Sequence, residues 1–254
     1  MKLFASAVGI SDANPQLLRE QLGLALSYLL AGARLKLTPL PLSYPPKLPV
    51  QLEPAVIKLW LINPRGMDAP LSEQETSDIF ADPPYWSFCW GSGLALAQRI
   101  LTNPQWVEGQ TVLDFGCGSG VVGIAAALAG ASRVISCDID IQALAATAVN
   151  AFENNVVLEY LGDFSELNET VDLLFAADVL YDPENLPLLQ AFCRQASTVV
   201  IADSRVKNFD EQGFFLFDQT HAVTVPDLGE QEDVKQVRFY LAGTMIEIEM
   251  PTNT

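Results

Sequence analysis

Histidine, basic residues and long apolar runs are all scarce in this chain of 254 residues. The one histidine, His221, excludes a metal site built from several histidines, and it would be the sole imidazole for any Ser-His or Cys-His pair. The four cysteines form no C-x-x-C pair, which argues against a zinc site or a redox motif and favours free thiols in a reducing compartment. We therefore predict no metal site and expect a cytoplasmic location.

The charge balance narrows the choice of partners. The chain has 14 Lys and Arg against 31 Asp and Glu, a formal net charge of −17, and its basic residues form no run. Because such a surface repels phosphate backbones, we expect no nucleic-acid partner. No apolar run approaches the roughly 20 residues that a bilayer span requires, so we expect no membrane partner either.

Strands and helices alternate through the second part of the chain. Half of the residues are hydrophobic, which is enough for a sizeable core. The patterns predict strands at 111–115, 133–137, 156–160, 171–176 and 198–202, and helices at 94–101, 121–128, 141–152 and 186–195. Such alternation predicts a parallel sheet wound on both faces. Further strands predicted at 214–217, 237–241 and 245–248 have little helix between them, which suits an antiparallel edge.

The first eighty residues have a different character. Residues 16–35 predict a helix, and the six prolines of 37–54 forbid a regular helix or a central strand, so we interpret that stretch as a linker or an extended arm. Residues 56–62 predict a strand, and the acidic run 72–86, broken by two prolines, predicts a loop. We divide the chain into an N-terminal extension, residues 1–80, and a main domain, residues 81–254.

Three glycines follow the first predicted strand of the main domain, in the segment TVLDFGCGSGVVG. Gly116, Gly118 and Gly120 can adopt positive φ and carry no Cβ, so a ligand can lie against the backbone before the next helix begins. Gly118-x-Gly120-x-x-Gly123 also matches the dinucleotide fingerprint, and Asp138 follows Gly118 by 20 residues, where a ribose-binding acid belongs. An NAD(P)-dependent oxidoreductase is therefore one interpretation of this turn.

Asp114, which precedes the glycines, favours a different ligand. A carboxylate beside a pyrophosphate is unfavourable because like charges repel, whereas it suits the ammonium group of a methionine moiety. The order strand, Asp, x, Gly-x-Gly-x-Gly resembles the class I methyltransferases that use S-adenosylmethionine. The resemblance implies a Rossmann-like, doubly wound, seven-stranded and mostly parallel sheet with an antiparallel edge, and S-adenosylmethionine as cofactor, bound in part by Asp114 and by Gly116, Gly118 and Gly120.

Three acidic residues follow the next two predicted strands. Asp138 would accept hydrogen bonds from the ribose hydroxyls, and Asp140 is interpreted as the N-cap of the following helix. The resemblance implies that Asp163 faces the adenine amino group and that Phe164 lies on the adenine ring. A loop role for Asp163, turning the chain after Gly162, is the alternative.

The motif AADVLYD narrows the resemblance. Asp178 and Tyr181 resemble the Asp/Glu-x-x-Tyr/Phe signature of the protein-lysine methyltransferase branch, which includes the lysine methyltransferase of the electron-transfer flavoprotein β-subunit. The upstream segment DPPYWSFCWGSGLALAQRIL is similar to the segment that precedes the cofactor strand in that branch, and it implies that Trp90 abuts the cofactor. The resemblance covers about residues 57–205, although the loop reads GCGSG where the relatives have a GSGCG-like order.

The predicted activity is therefore N-methylation, of a protein lysine or of a small-molecule amine such as nicotinamide. Asp178 would align the amine, while Tyr181, Trp86 and Trp90 would form aromatic walls around the reacting centre. The alternatives are a capped turn for Asp178 and Tyr181 and ordinary core packing for the tryptophans. A non-catalytic interaction protein that kept the fold is the remaining alternative for the whole chain.

Overall fold

The computed structural model describes residues 8–30, 33–42, 56–63, 65, 70–180, 185–206, 209 and 211–243. Its strands are β1 (Leu35–Pro39), β2 (Lys58–Ile62), β3 (Thr111–Phe115), β4 (Arg133–Cys137), β5 (Glu159–Leu161), β6 (Val171–Ala177), β7 (Ala196–Asp203), β8 (Phe215–His221) and β9 (Gln236–Gly243). Its α-helices are α1 (Val8–Ser11), α2 (Pro15–Leu29), α3 (Glu73–Ala81), α4 (Gly91–Thr102), α5 (Val121–Leu128), α6 (Ile141–Glu153) and α7 (Leu188–Gln195).

Seven strands form one sheet in the order β5-β4-β3-β6-β7-β9-β8. The pairs from β5 to β7 are parallel, and β9 runs antiparallel to both β7 and β8. The chain builds outward from β3 through β4 to β5, then crosses to the other side of β3 and continues through β6 and β7. The strand order therefore reverses between β3 and β6, which is where an open α/β sheet forms a crevice at its carboxyl edge.

Helices cover both faces of this sheet. The central strands are buried on both sides, so alternate residues enter different cores: Val112 packs on the face covered by α4 and α5, and Leu113 on the face covered by α7. The predicted Rossmann-like, doubly wound sheet with an antiparallel edge is confirmed. No helix among the described residues is both long and apolar enough to span a bilayer.

The N-terminal residues pack against the outside of α6. Leu18, Leu22 and Leu26 of α2 are buried against α6, at the i, i+4 spacing that places them on one face of the helix. β1 and β2 form a separate antiparallel hairpin with Leu35 paired to Ile62. The division of the chain at residue 80 stays a prediction.

Two of the predicted elements differ in the structure. Residues 73–81 form helix α3, where the acidic composition predicted a loop, because Ser72 and Glu75 make a capping box and Pro83 and Pro84 come only after the helix has ended. The predicted helix 16–35 stops at Leu29, and Leu35 already belongs to β1. The strand predicted at 245–248 lies outside the described residues.

All four cysteines are free, as the absence of C-x-x-C spacing predicted. Cys89, Cys117 and Cys137 are buried, and burial raises the pKa of each thiol, which makes them poor nucleophiles. Cys193, on α7, is exposed. The described residues contain no group of three or more His, Cys, Asp or Glu side chains arranged to hold a metal ion.

Candidate functional site

A cavity of about 860 Å³ opens at the carboxyl ends of β3, β4 and β6, where the strand order reverses. Its volume falls within the range of about 300–1,000 Å³ that is usual for small-molecule and cofactor sites. Its walls combine residues that follow five different strands, β3 to β7, with the segment that precedes α4 and with one side of α7. The topology of the sheet therefore places most of the predicted site residues around one space.

The three glycines of the loop after β3 have different surroundings. All have positive φ, at +67° for Gly116, +51° for Gly118 and +82° for Gly120. A Cβ on Gly116 would lie 2.7 Å from a methyl group of Val179, and one on Gly120 would lie 2.8 Å from the Thr147 methyl group. A Cβ on Gly118 would meet nothing closer than 3.9 Å. Gly116 and Gly118 line the cavity, whereas Gly120 packs against α6 behind it.

Asp114 lies behind the glycine loop and does not line the cavity. Its carboxylate is 2% exposed and accepts a hydrogen bond of 2.9 Å from the N–H of Gly123 in the first turn of α5. Burial raises its pKa to about 7, and the charge of Asp138 adds to the shift, while the bond from Gly123 opposes it. The structure thus shows Asp114 fastening α5 to β3, and its predicted contact with a methionine ammonium stays a prediction.

Asp138 lines the cavity at the end of β4, and both of its oxygens are held by backbone groups. The N–H of Gly118 donates to one oxygen and the N–H of Asp140 to the other, each at 3.0 Å. Burial raises the pKa of Asp138 to about 6, against the effect of these two hydrogen bonds. Each carboxylate oxygen can accept a further hydrogen bond, so the side chain can still bind a diol. Asp140 is the N-cap of α6, as predicted, and accepts from the N–H of Gln142.

Asp163 and Phe164 line the cavity just after β5, the strand that pairs with β4. Asp163 is exposed, and hydrogen bonds from Ser165, one of them from its N–H at 2.8 Å, lower the pKa of the Asp163 carboxyl. Phe164 is buried in a cluster with Phe115 and Phe192, with ring centroids 4.7–5.7 Å apart. The loop role of Asp163 and its position in the cavity wall are thus compatible.

Asp178 follows β6 and ties three segments together at the cavity. Its carboxylate accepts from the N–H of Ser92 at 3.0 Å, from the Ser92 hydroxyl at 2.6 Å and from the Ser204 hydroxyl at 3.2 Å. Asp178 has a positive φ of +51°, a backbone state in which few residues other than glycine occur. Burial raises its pKa to about 6. Tyr181, the second residue of this predicted motif, lies outside the described residues.

Aromatic residues from the segment before α4 form the rim of the cavity. Trp90 donates from its indole N–H to the carbonyl of Tyr85 at 2.9 Å, and the two rings meet edge to face. The guanidinium of Arg205 lies over the Trp90 ring, 5.6 Å from its centroid. Trp86 also lines the cavity but is only 1% exposed, which favours its packing role.

The sequence patterns did not single out several residues of this site. Arg205 lines the cavity just after β7, and the rule that identified Asp178, a polar residue at the carboxyl end of a parallel strand, would have identified it as well. Ser92, which holds Asp178, carries no signal in the sequence, because its role depends on α4 beginning beside β6. Tyr85, another residue of this site, lies in the stretch that the sequence predicted to be a loop.

The cavity residues fit a nucleoside. The Gly118 backbone permits close approach, the Asp138 carboxylate suits vicinal hydroxyls, and the buried Phe164 ring offers an apolar surface for a base. Asp178 and Arg205 follow β6 and β7, on the other side of β3 from Asp138, and together with Trp90 they form a second part of the cavity. The arrangement can therefore hold a nucleoside cofactor on one side and a second reactant on the other.

Comparisons with known proteins point in the same direction. Residues 97–205 match the family described as "Ribosomal protein L11 methyltransferase (PrmA)". The electron transfer flavoprotein beta subunit lysine methyltransferase of Danio rerio is 36% identical over 143 residues, which is 55% of this chain and 51% of that protein. The mouse protein of that name is 31% identical over 176 residues, 63% of this chain and 66% of that protein.

A second group of relatives carries a different name. The ribosomal protein L11 methyltransferase of Pseudomonas putida is 36% identical over 138 residues, 53% of this chain and 39% of that protein. A solved ribosomal protein L11 methylase from Lactobacillus delbrueckii aligns with a TM-score of 0.46 and 18% sequence identity, over 61% of this chain and 78% of that one. This similarity is too distant to bear on function. The match to the Danio rerio lysine methyltransferase spans about half the length of that protein. The predicted resemblance to S-adenosylmethionine-dependent methyltransferases is confirmed by the sequence matches.

Proposed function

We propose that this chain is an S-adenosylmethionine-dependent N-methyltransferase that acts on a protein lysine. The observation that carries the proposal is the cavity at the reversal of strand order, which Gly118 and Asp138 line at the ends of β3 and β4, and which Asp178 and Trp90 line at the end of β6 and the start of α4. Methyl transfer needs two reactants held in line in one space, and a cavity with two chemically distinct parts meets that need.

The cofactor would supply the methyl group as a sulfonium, and residues of this chain would hold and orient it. Gly116 and Gly118 would let it approach the backbone, and Asp138 would bind the ribose hydroxyls with its free lone pairs. Asp163 and Phe164, which follow β5 beside β4, would contact the adenine. Asp114 would act mainly by fixing the start of α5 behind the loop.

The acceptor would enter beside Asp178 and the Tyr85–Trp90 pair. A lysine attacks as the neutral amine, although its unperturbed pKa is about 10.4, so the site must favour or select the deprotonated form. The carboxylate of Asp178 would accept a hydrogen bond from the amine and direct its lone pair, since Ser92 and Ser204 already fix the orientation of that carboxylate. The aromatic rim would exclude water from the reacting atoms.

The choice of a protein lysine is supported by the names of two relatives, one a lysine methyltransferase of a flavoprotein subunit and one a methyltransferase of a ribosomal protein. No feature of the cavity specifically favours a small amine such as nicotinamide. We also propose a cytoplasmic location, with neither nucleic acid nor membrane as a partner. The four free cysteines support the cytoplasmic location. The presence of 31 acidic residues against 14 basic ones supports the absence of a nucleic-acid partner.

Calorimetric titration with S-adenosylhomocysteine and, separately, with NADH tests the cofactor. We expect S-adenosylhomocysteine to bind and NADH not to bind, because NADH would bring a pyrophosphate to the loop in front of the Asp114 carboxylate, whereas S-adenosylhomocysteine carries no phosphate. Incubation with tritiated S-adenosylmethionine and a lysate of cells that lack this protein then tests the acceptor. Label should appear in a protein band and map to lysine by mass spectrometry. Label confined to small molecules would overturn the choice of acceptor, and binding of NADH alone would overturn the whole proposal.

A further inference from the structure

The outer edge of the β1–β2 hairpin is closed by two asparagines of α6. The N–H of Trp60 donates to Asn150 Oδ1 at 2.7 Å, and the N–H of Lys58 donates to Asn154 Oδ1 at 3.0 Å. Asn154 Nδ2 returns a hydrogen bond of 2.7 Å to the carbonyl of Lys58. These side-chain amides take the place of a third strand, because they satisfy the groups that β2 leaves unpaired on the side away from β1.

The spacing of these residues explains why a helix can do this. Four residues of an α-helix rise about 6 Å, and two residues of a strand rise about 6.6 Å. Asn150 and Asn154 are therefore spaced like Trp60 and Lys58, and each amide meets one backbone N–H of the strand. The indole N–H of Trp60 adds a bond of 3.3 Å to Glu153, on the same helix.

Asn150 has a second partner, in the glycine loop. Its Nδ2 donates to the carbonyl of Ser119 at 2.9 Å, and the Asn150 side chain is fully buried. One turn earlier on α6, the Thr147 hydroxyl lies 3.2 Å from the carbonyl of Gly118. Because the peptide bond is planar and trans, turning these two carbonyls toward α6 turns the N–H groups of Ser119 and Gly120 away from it. One amide thus fixes both the conformation of the loop and the edge of the hairpin.

We infer that Asn150 is a positioning residue for the cofactor loop and that it couples the N-terminal hairpin to that loop. The inference rests on the proposed function, since it takes the glycine loop as the cofactor site. Binding of the cofactor then favours an ordered hairpin through the Asn150 amide. Because such coupling is reciprocal, an ordered hairpin favours cofactor binding by the same free energy. The hairpin is accordingly part of the binding site in energetic terms, although none of its residues lines the cavity.

Two alanine variants on the same helix separate this role from general stability. Asn150→Ala removes the bonds to both the hairpin and the loop, whereas Asn154→Ala removes bonds to the same hairpin and touches no residue of the loop. We expect Asn150→Ala to weaken S-adenosylhomocysteine binding at least about fivefold, as expected when a buried hydrogen-bond acceptor is left unsatisfied, and Asn154→Ala to change it less than about twofold. Asn150→Ser is a milder substitute if the alanine variant does not fold.

Hydrogen exchange on the unmodified protein gives a readout that needs no variant. We expect saturating S-adenosylhomocysteine to slow exchange of the Trp60 amide clearly more than that of Lys58, whose N–H is bound by Asn154 alone. The inference would be overturned if the Asn150 and Asn154 variants bound S-adenosylhomocysteine with equal affinity. It would also be overturned if the ligand slowed exchange of the Trp60 and Lys58 amides by the same factor. If the unmodified protein does not bind S-adenosylhomocysteine at all, the proposed function itself fails, which is a distinct result.

Discussion

Asp178 shows how one side chain in this fold can serve both structure and chemistry. Its carboxylate receives three hydrogen bonds from Ser92 and Ser204, so it anchors the start of α4 to the ends of β6 and β7. It also lines the cavity, where it would face an acceptor. A variant that removes only the charge can distinguish these roles, because a side-chain amide can still accept from the Ser92 N–H and donate to either hydroxyl.

We predict that Asp178→Asn lowers kcat about tenfold or more and leaves the Kd for S-adenosylhomocysteine within about threefold, since the cofactor side of the cavity is unchanged. Single-turnover kinetics and calorimetry measure the two quantities. Ser92→Ala is the matched control, because it removes the 2.6 Å hydroxyl bond but keeps the carboxylate. An equal loss of kcat in both variants would mean that Asp178 acts only through the position of α4.

Residues that act through a partner distant in sequence were the hardest to predict. Asp140 was assigned correctly as an N-cap, because a cap depends on its immediate neighbours. Asp114 accepts a hydrogen bond from the Gly123 N–H behind the loop, and its predicted contact with the ligand, direct or through a bound water, stays a prediction. No pattern in the sequence indicates the roles of Arg205 and Asn150, because these depend on Trp90 and Trp60, which lie far away along the chain.

At the level of elements, the glycine turn between β3 and α5 is tightly constrained by its neighbours. Gly120 combines a positive φ with the closest approach to α6, and Gly213, in an exposed turn with φ of +94°, has nothing near its missing Cβ. An alanine at either position would therefore strain the left-handed backbone, but only an alanine at Gly120 would also collide with Thr147.

We predict that Gly120→Ala lowers the free energy of unfolding by about 2–4 kcal/mol, through backbone strain and overpacking together. Gly213→Ala should cost only about 1–2 kcal/mol, from the strain alone. Urea unfolding followed by circular dichroism measures both changes. If the two variants unfold at the same urea concentration, the contact of Gly120 with Thr147 has no energetic weight.

The central elements could be predicted from sequence almost to the residue, and the peripheral ones could not. The predicted bounds of β3, β4 and α5 agree with the structure, because these are buried apolar segments bounded by glycines or by charged residues. Helix α3 buries none of its residues and so has no apolar periodicity to reveal it. β1 lies in a proline-rich stretch, where an isolated hairpin tolerates a proline that a central strand would not.

At the level of the whole molecule, some acidic side chains lie at the surface and others are partly or fully buried. The formal charge is −17, and three of the acids at or beside the cavity, the buried Asp114 and the half-buried Asp138 and Asp178, have pKa values raised to about 7, 6 and 6. A carboxyl whose pKa is higher in the folded state than in the unfolded state binds its proton more tightly when folded. Its contribution to stability is therefore complete below about pH 4 and is lost as the pH rises through 6 to 7.

We predict that the Tm is at least about 3 °C higher at pH 5.5 than at pH 8, since each kcal/mol shifts the Tm of a domain of this size by about 2–4 °C. Differential scanning calorimetry in 0.5 M NaCl measures this difference with the surface charges largely screened. Asp114→Asn keeps an acceptor for the Gly123 N–H and removes the titration, so the difference should shrink. A Tm that rises with pH would contradict the assignment.

The contrast between the three inaccessible thiols and the accessible one gives this protein a convenient attachment point. A maleimide dye should modify Cys193 far faster than Cys89, Cys117 or Cys137, because only Cys193 is reachable from solvent. The next residue, Arg194, belongs to the cavity wall. A fluorophore placed on α7 would thus sit just outside the crevice and could report on its occupancy without any engineered cysteine.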